Sequence, residues 1–208
     1  MTSRYIEIRS AIAVVHRLAR FVICAGLAAV VIPQLASTLC FAQTATQSAD
    51  AVAEPEGYRL ENYRAPVPAT LKGARGVLSA DAARQIRDTG AIFLDVYPQA
   101  PKPPNLPAST VWREPKHPSI EGAVWLPNVG YGVLSEAAQS YFEKRLTQFT
   151  QNNKSKPIVF FCLRDCWMSW NAAKRALALG YSEVYWFPDG TDAWEERGYP
   201  TTTLIPEP

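Results

Sequence analysis

The most constraining stretch of the chain is Ile158-Val159-Phe160-Phe161, an apolar, β-favouring run that leads directly into Cys162. A short polar turn, Leu163-Arg164-Asp165, separates that cysteine from Cys166, after which the sequence reads as helix. A strand, a tight turn and a helix in immediate succession place a thiol at the C-terminal end of a strand. In open α/β sheets this is the end where ligands and chemistry collect. The rest of the chain is read as the scaffold for this turn.

Composition narrows the chemistry once the N-terminus is considered. Arg4, Arg9, Arg17 and Arg20 precede or flank an apolar run from Phe21 to Ile32, and Cys40-Phe41-Ala42 places small residues where a signal peptidase reads. A cleaved signal peptide over 1–42 is therefore expected, with export to the periplasm and no membrane attachment afterwards. The alternative is an uncleaved anchor over Phe21–Ala42, weakened by Pro33, Gln34, Ser37 and Thr38. Removing those four arginines from 21 Lys+Arg, and Glu7 from 19 Asp+Glu, leaves 17 and 18, so the mature chain is close to neutral. That excludes the basic footprint of a nucleic-acid binder. Cys24, Cys40 and His16 leave with the leader, and the remaining thiols and imidazole are Cys162, Cys166 and His117.

Residues 43–56 have the composition of a disordered linker. One domain follows over 57–208, beginning with an extended arm over 57–78 rich in Tyr and Pro. A short helix is predicted over Ala80–Asp88, a strand over Ala91–Val96 with Asp95 at its end, and a Pro-rich loop over 97–119. A strand over Gly122–Pro127, a helix over Ser135–Thr150, the strand before Cys162 and a helix over Ser169–Leu179 follow. Glu183–Trp186 is the last strand and Thr191–Arg197 the last helix, before a Pro-rich tail. Strands alternating with helices predict a single α/β domain, a central parallel sheet flanked by helices.

A cysteine needs its thiolate to act, and backbone N–H groups of a turn and a helix N-terminus stabilise that anion. Arg164 adds positive charge nearby and Asp165 opposes it. Cys162 and Cys166 are close enough for a disulfide, either a redox couple or a structural bridge. No metal site is expected, because two cysteines and one distant histidine fall short of four ligands. The site set is completed by Trp167, Ser169 and Trp170 after the turn, with Asp95 and Asp189 at other strand ends. The tryptophans read as a screen, a stacking surface for a planar ligand, or plain packing. Asp95, Asp189 and Asp192 read equally as turn and cap residues. His117 reads as an exposed loop residue.

From Ala91 onward the order of elements resembles a rhodanese domain. The resemblance is carried by Leu94-Asp95-Val96, Ile120-Glu121-Gly122-Ala123, the strand–Cys162–turn–Asn171-Ala172-Ala173 segment, and Asp189-Gly190 through Ala193-Trp194 to Gly198-Tyr199-Pro200. It implies Cys162 as the nucleophilic, persulfide-carrying position of a sulfurtransferase. Three positions depart from the pattern: Asp165 stands where glycine is usual, Tyr97 where an arginine follows the Asp-Val pair, and Met168 where a phosphatase relative carries its phosphate-clamping arginine. Cys162-Leu163-Arg164-Asp165-Cys166-Trp167 also resembles the Cys-x-x-x-Cys-Trp signature of a small exported family associated with pyrroloquinoline quinone (PQQ)-dependent alcohol catabolism. Gly57-Tyr58-Arg59, Tyr63-Arg64-Ala65-Pro66-Val67-Pro68 and Trp125-Leu126-Pro127-Asn128-Val129-Gly130 fit that family too. This second resemblance implies redox or cofactor handling, contact with PQQ, and a partner that is a PQQ-dependent alcohol dehydrogenase or its periplasmic electron-transfer protein. A third reading is a non-catalytic binding module whose cysteines form a passive bridge.

Overall fold

A computed structural model describes residues 51–208 except Glu114. The signal peptide expected over 1–42 and the first part of the linker lie outside the described residues. Five short strands, β1 (Gly76–Val77), β2 (Ile92–Asp95), β4 (Val124–Trp125), β5 (Ile158–Phe161) and β6 (Val184–Phe187), form a parallel sheet in the order β1-β6-β5-β2-β4. β5 lies in the middle, registered with β2 (Phe161 opposite Asp95) and with β6 (Phe161 opposite Phe187). All four of its residues are buried, which explains why it reads as a continuous apolar run rather than an alternating one.

Alternation along β5 sorts the two cores. Ile158 and Phe160 pack with Phe142 and Leu146 of α2 (Glu136–Thr150) and with Ala172, Ala173 and Ala176 of α3 (Trp167–Ala178). Val159 and Phe161 face the other way, joining Ala83 of α1 (Ala80–Asp88) and Trp194 of α4 (Gly190–Glu196). Each fully buried side chain of this size stabilises the fold by about 1.5–3 kcal/mol. The sheet is thus covered by two helices on each face, and its central strand delivers Cys162 to the middle of its C-terminal edge.

α1 and α2 begin where their serine caps stand: Ser79 Oγ accepts from the Ala82 N–H at 3.3 Å and Ser135 Oγ from the Ala138 N–H at 3.2 Å. α3 begins two residues before the expected Ser169, because its first N–H, that of Trp167, is donated to the Tyr63 carbonyl at 2.9 Å. A tertiary partner replaces a side-chain cap. An antiparallel ribbon of β3 (His117–Ile120) and β7 (Thr201–Leu204) lies outside the sheet. It corrects both the Pro-rich loop, which ends before His117, and the Pro-rich tail. Pro118 and three consecutive threonines hide its period-2 pattern. The strand expected over Gly122–Pro127 shortens to Val124–Trp125.

Three polar side chains of α3 tie down the preceding segments. Asn171 donates to the Arg59 and Gly130 carbonyls and accepts from the Arg59 N–H, each at 2.9 Å. Arg175, 5% exposed, donates to the carbonyls of Val129, Tyr131 and Gly132, and burial lowers its pKa from the ordinary arginine value. Lys174 Nζ donates to the Pro55, Glu56 and Gly57 carbonyls. Glu54 accepts from the Thr70 hydroxyl and the Lys72 N–H. The disorder expected over 43–56 is therefore corrected at residues 54–56, which these bonds fix.

Gly130 passes so close to α3 that a Cβ there would overlap the Met168 carbonyl. Gly130→Ala is expected to cost about 3 kcal/mol in urea unfolding. Arg175→Met, which removes the donor to the Val129, Tyr131 and Gly132 carbonyls, two of these bonds being buried, is expected to cost a similar amount, about 2–3 kcal/mol.

Candidate functional site

Cys162 leaves the end of β5 and is disulfide-bonded to Cys166, the N-cap residue of α3, with a Cα–Cα separation of 6.2 Å. The two cysteines are 0% and 1% exposed. The turn between them is held from both sides. On one side the Thr191 N–H donates to the Cys162 carbonyl at 2.9 Å, the Arg164 N–H donates to Asp192 Oδ2 at 2.9 Å, and Leu163 forms an antiparallel bridge with Gly190. On the other side the N-terminal arm crosses it: Arg64 bridges Cys166, and the Ala65 N–H donates to the Asp165 carbonyl at 3.1 Å. Gly190 sits at φ +48°, and a Cβ there would overlap the Cys162 carbonyl, so this contact requires glycine.

This arrangement corrects two expectations about charge. The N–H groups expected to converge on a Cys162 thiolate are engaged elsewhere, with Arg164 N–H on Asp192 and Trp167 N–H on Tyr63. The Arg164 guanidinium, expected to add charge at the sulfur, forms a two-pronged pair with Glu196 at 2.7 Å and a longer contact to Asp189 at 3.4 Å. The hydrogen bond to Glu196 raises the Arg164 pKa, and the same bond lowers the Glu196 pKa from the usual carboxylate value. Asp189 is the N-cap of α4 but makes no side-chain capping bond there. Asp165 adopts φ +53°, the left-handed conformation that aspartate tolerates better than most residues.

Trp167 and Trp170 are packing residues. They are 1% and 0% exposed, meet edge to face at 5.4 Å, and donate their indole N–H groups to the Pro66 and Thr70 carbonyls of the arm. Ser169 is buried; its hydroxyl donates to the Cys166 carbonyl at 3.1 Å and accepts from Trp186 Nε1 at 3.0 Å.

His117 is buried in strand β3 and is not the exposed loop residue expected from the sequence. It is 7% exposed, and its Nε2 lies 2.7 Å from Oδ2 of the fully buried Asp95, which also accepts from the Ser119 hydroxyl at 2.5 Å. Asp95 Oδ1 accepts from the Tyr97 N–H at 2.9 Å. The His117 ring stacks on Tyr97 with centroids 5.1 Å apart and meets Trp125 at 4.3 Å. The available signal was the spacing of His117 and Ser119, which puts both on one face of a strand, opposite an acid. Pro118 between them obscured it. This cluster borders a cavity of about 260 Å³ that also touches Leu163, the residue after Cys162.

Among the described residues no cluster of three or more His, Cys, Asp or Glu is arranged to hold a metal. PQQ is a planar tricarboxylate, whereas the described lining of this cavity carries Lys116 and His117 as its only basic groups. The lining does not fit three carboxylates.

A family model of the rhodanese-like domain matches residues 79–197, more than half of the chain. The chain belongs to that family. Similar solved structures include a crystal structure of the Alr3790 protein from Anabaena sp., at 20% identity over 61% of this chain and 91% of that one, TM-score 0.38. A solution structure of the rhodanese-like domain of the same Anabaena protein matches at 19% identity over 65% of this chain and 82% of that one, TM-score 0.39. No curated protein matches the chain. Within this rhodanese-like domain, the left-handed backbone at Asp165 accounts for the departure noted in the sequence. The position demands a conformation that glycine adopts freely, and aspartate occupies it at a cost of about 1 kcal/mol.

Three outcomes follow for the site. Asp95→Ala leaves the buried Ser119 hydroxyl and His117 ring without their acceptor and is expected to cost about 2–3 kcal/mol by chemical denaturation. Asp165→Gly is expected to change stability by less than about 1 kcal/mol, and Asp165→Val to cost about 2 kcal/mol. The Glu196 carboxyl, depressed by its bond to Arg164, stabilises the fold above its unfolded-state pKa and loses that contribution as pH falls through its folded value. Arg164→Gln should therefore raise the Glu196 midpoint in a side-chain carboxyl NMR titration.

Proposed function

We propose that Cys162 and Cys166 form a reversible dithiol–disulfide couple and that this couple is the working part of the rhodanese-like domain. The observation that carries the reading is the disulfide itself, closed across three residues at the C-terminal end of the central strand. A bridge of this span restricts the unfolded chain by only about 2 kcal/mol on a chain-entropy basis. Exchange proceeds in two balanced steps. A partner thiolate attacks Cys162 Sγ and expels Cys166 as a thiolate; the partner's second thiol then attacks its own sulfur in the mixed disulfide and releases Cys162. Two electrons and two protons pass to the domain, and the partner leaves as a disulfide. The reading extends to an exported protein accessory to PQQ-dependent alcohol oxidation, its thiol partner being the alcohol dehydrogenase or the electron-transfer protein beside it. That extension rests on the Cys-x-x-x-Cys-Trp signature and the basic and apolar N-terminus.

A second reading, favoured by the family, is sulfur transfer. With the couple reduced, Cys162 thiolate takes the outer sulfur of a sulfane donor such as thiosulfate, releasing sulfite and forming a persulfide. Cys166 thiolate then attacks Cys162 Sγ, expels sulfide and restores the disulfide.

Alkylation with mass spectrometry on protein purified from the periplasm distinguishes these readings. The couple predicts that Cys162 and Cys166 of the folded protein pass between the bridged form and two alkylatable thiols as a glutathione redox buffer is made more reducing; a bridge that opens only after denaturation would overturn it. A Cys162→Ser strain should lose growth on alcohols that depend on the quinone dehydrogenase. Sulfur transfer predicts that reduced Cys166→Ser protein gains one sulfur atom on Cys162 after thiosulfate, and no gain excludes it.

A further inference from the structure

The cavity beside Leu163 is used by neither thiol reading, and its walls describe a ligand. We propose that it binds a small planar organic acid, one ring bearing one carboxylate. A volume of about 260 Å³ lies just below the range of sites for drug-sized ligands and suits a single substituted ring. Flat apolar surfaces dominate the walls: Pro98, Pro115 and Pro118, the rings of Tyr97 and Trp125, and the side chain of Leu163. Such surfaces pack planar carbon frameworks.

The floor is preorganised. His117 is fixed by the Asp95 carboxylate through Nε2 and packed between Tyr97 and Trp125. Trp125 is fixed in turn, because its Nε1–H donates to the Tyr97 carbonyl at 2.7 Å. Three rings already held in place lose little freedom when a fourth arrives, which lowers the cost of binding.

Charge selects the ligand's polar group. Lys116 stands at the cavity as a cation, and no carboxylate is among the described lining residues. Asp95, the acid behind the floor, is fully buried and already accepts from His117, Ser119 and the Tyr97 N–H. A cationic ligand would meet Lys116 and finds no carboxylate among the described lining residues, whereas a carboxylate gains a charge-assisted hydrogen bond. Neither cysteine sulfur lines the cavity, so this site stands apart from the thiol couple.

The test is a ¹H–¹⁵N NMR titration of the purified oxidised protein with three probes: benzoate, benzyl alcohol and acetate. Benzoate is expected to shift the Trp125 indole N–H and the Leu163 amide saturably, about tenfold more tightly than benzyl alcohol or acetate. Lys116→Glu should weaken benzoate about tenfold while leaving the signals of α2 in place. Ala100→Trp, at an exposed rim position, should block the cavity and abolish the shifts. No saturable shift at Trp125, equal affinity for benzoate and benzyl alcohol, or benzoate affinity unchanged by Lys116→Glu would overturn the proposal.

Discussion

A turn that leaves the middle of a buried sheet and closes on two buried cysteines must find partners for the backbone N–H and C=O groups that its neighbours cover. That requirement governs the Cys162–Cys166 segment. Its partners come from two directions: Asp192 and Thr191 at the start of α4, and Tyr63, Arg64 and Ala65 of the arm. Much of the surrounding structure serves this need. Gly190 lets α4 approach the Cys162 carbonyl, and Asn171, Lys174 and Arg175 of α3 fix the stretches around the arm and Gly130. The arm is thus a structural neighbour of the thiols, although about 100 residues separate Arg64 from Cys166.

The middle of the sheet is legible in the sequence because β5 is buried on both faces and β2 and β6 pair with it over four residues each, whereas the two-residue β1 hides in the expected extended arm over 57–78. Helices α1 and α2 were legible from their caps and spacing. β3 and β7 were not, since an exposed proline and threonines pair there by backbone alone. The start of α3 was misplaced for a related reason: its cap is a carbonyl of the arm, which no local pattern announces.

At the site, position was easier to read than environment. Cys162 and Cys166 stood out as the thiols left after the leader, and their spacing suited a bridge. Proximity in sequence points Arg164 at the sulfur, yet Asp189 and Glu196 hold its guanidinium instead. These acids lie 25 and 32 residues away, and only the packing of α4 against the turn brings them close. The proline-rich stretch around His117 suggests exposure. The burial of this residue follows from pairing with β7 and from the acid at the end of β2.

The depth of the disulfide has a consequence for oxidative damage. A thiolate open to solvent can be driven by peroxide past the sulfenic stage to sulfinic and sulfonic acids, from which most proteins do not recover. Here the two sulfurs are enclosed by the arm, α3 and the turn itself, with exposures of 0% and 1%. Once the bridge closes, small oxidants find no sulfur to reach, and oxidation stops at its reversible stage. On the proposed couple, the arm that covers the cysteines is also what preserves them for repeated use.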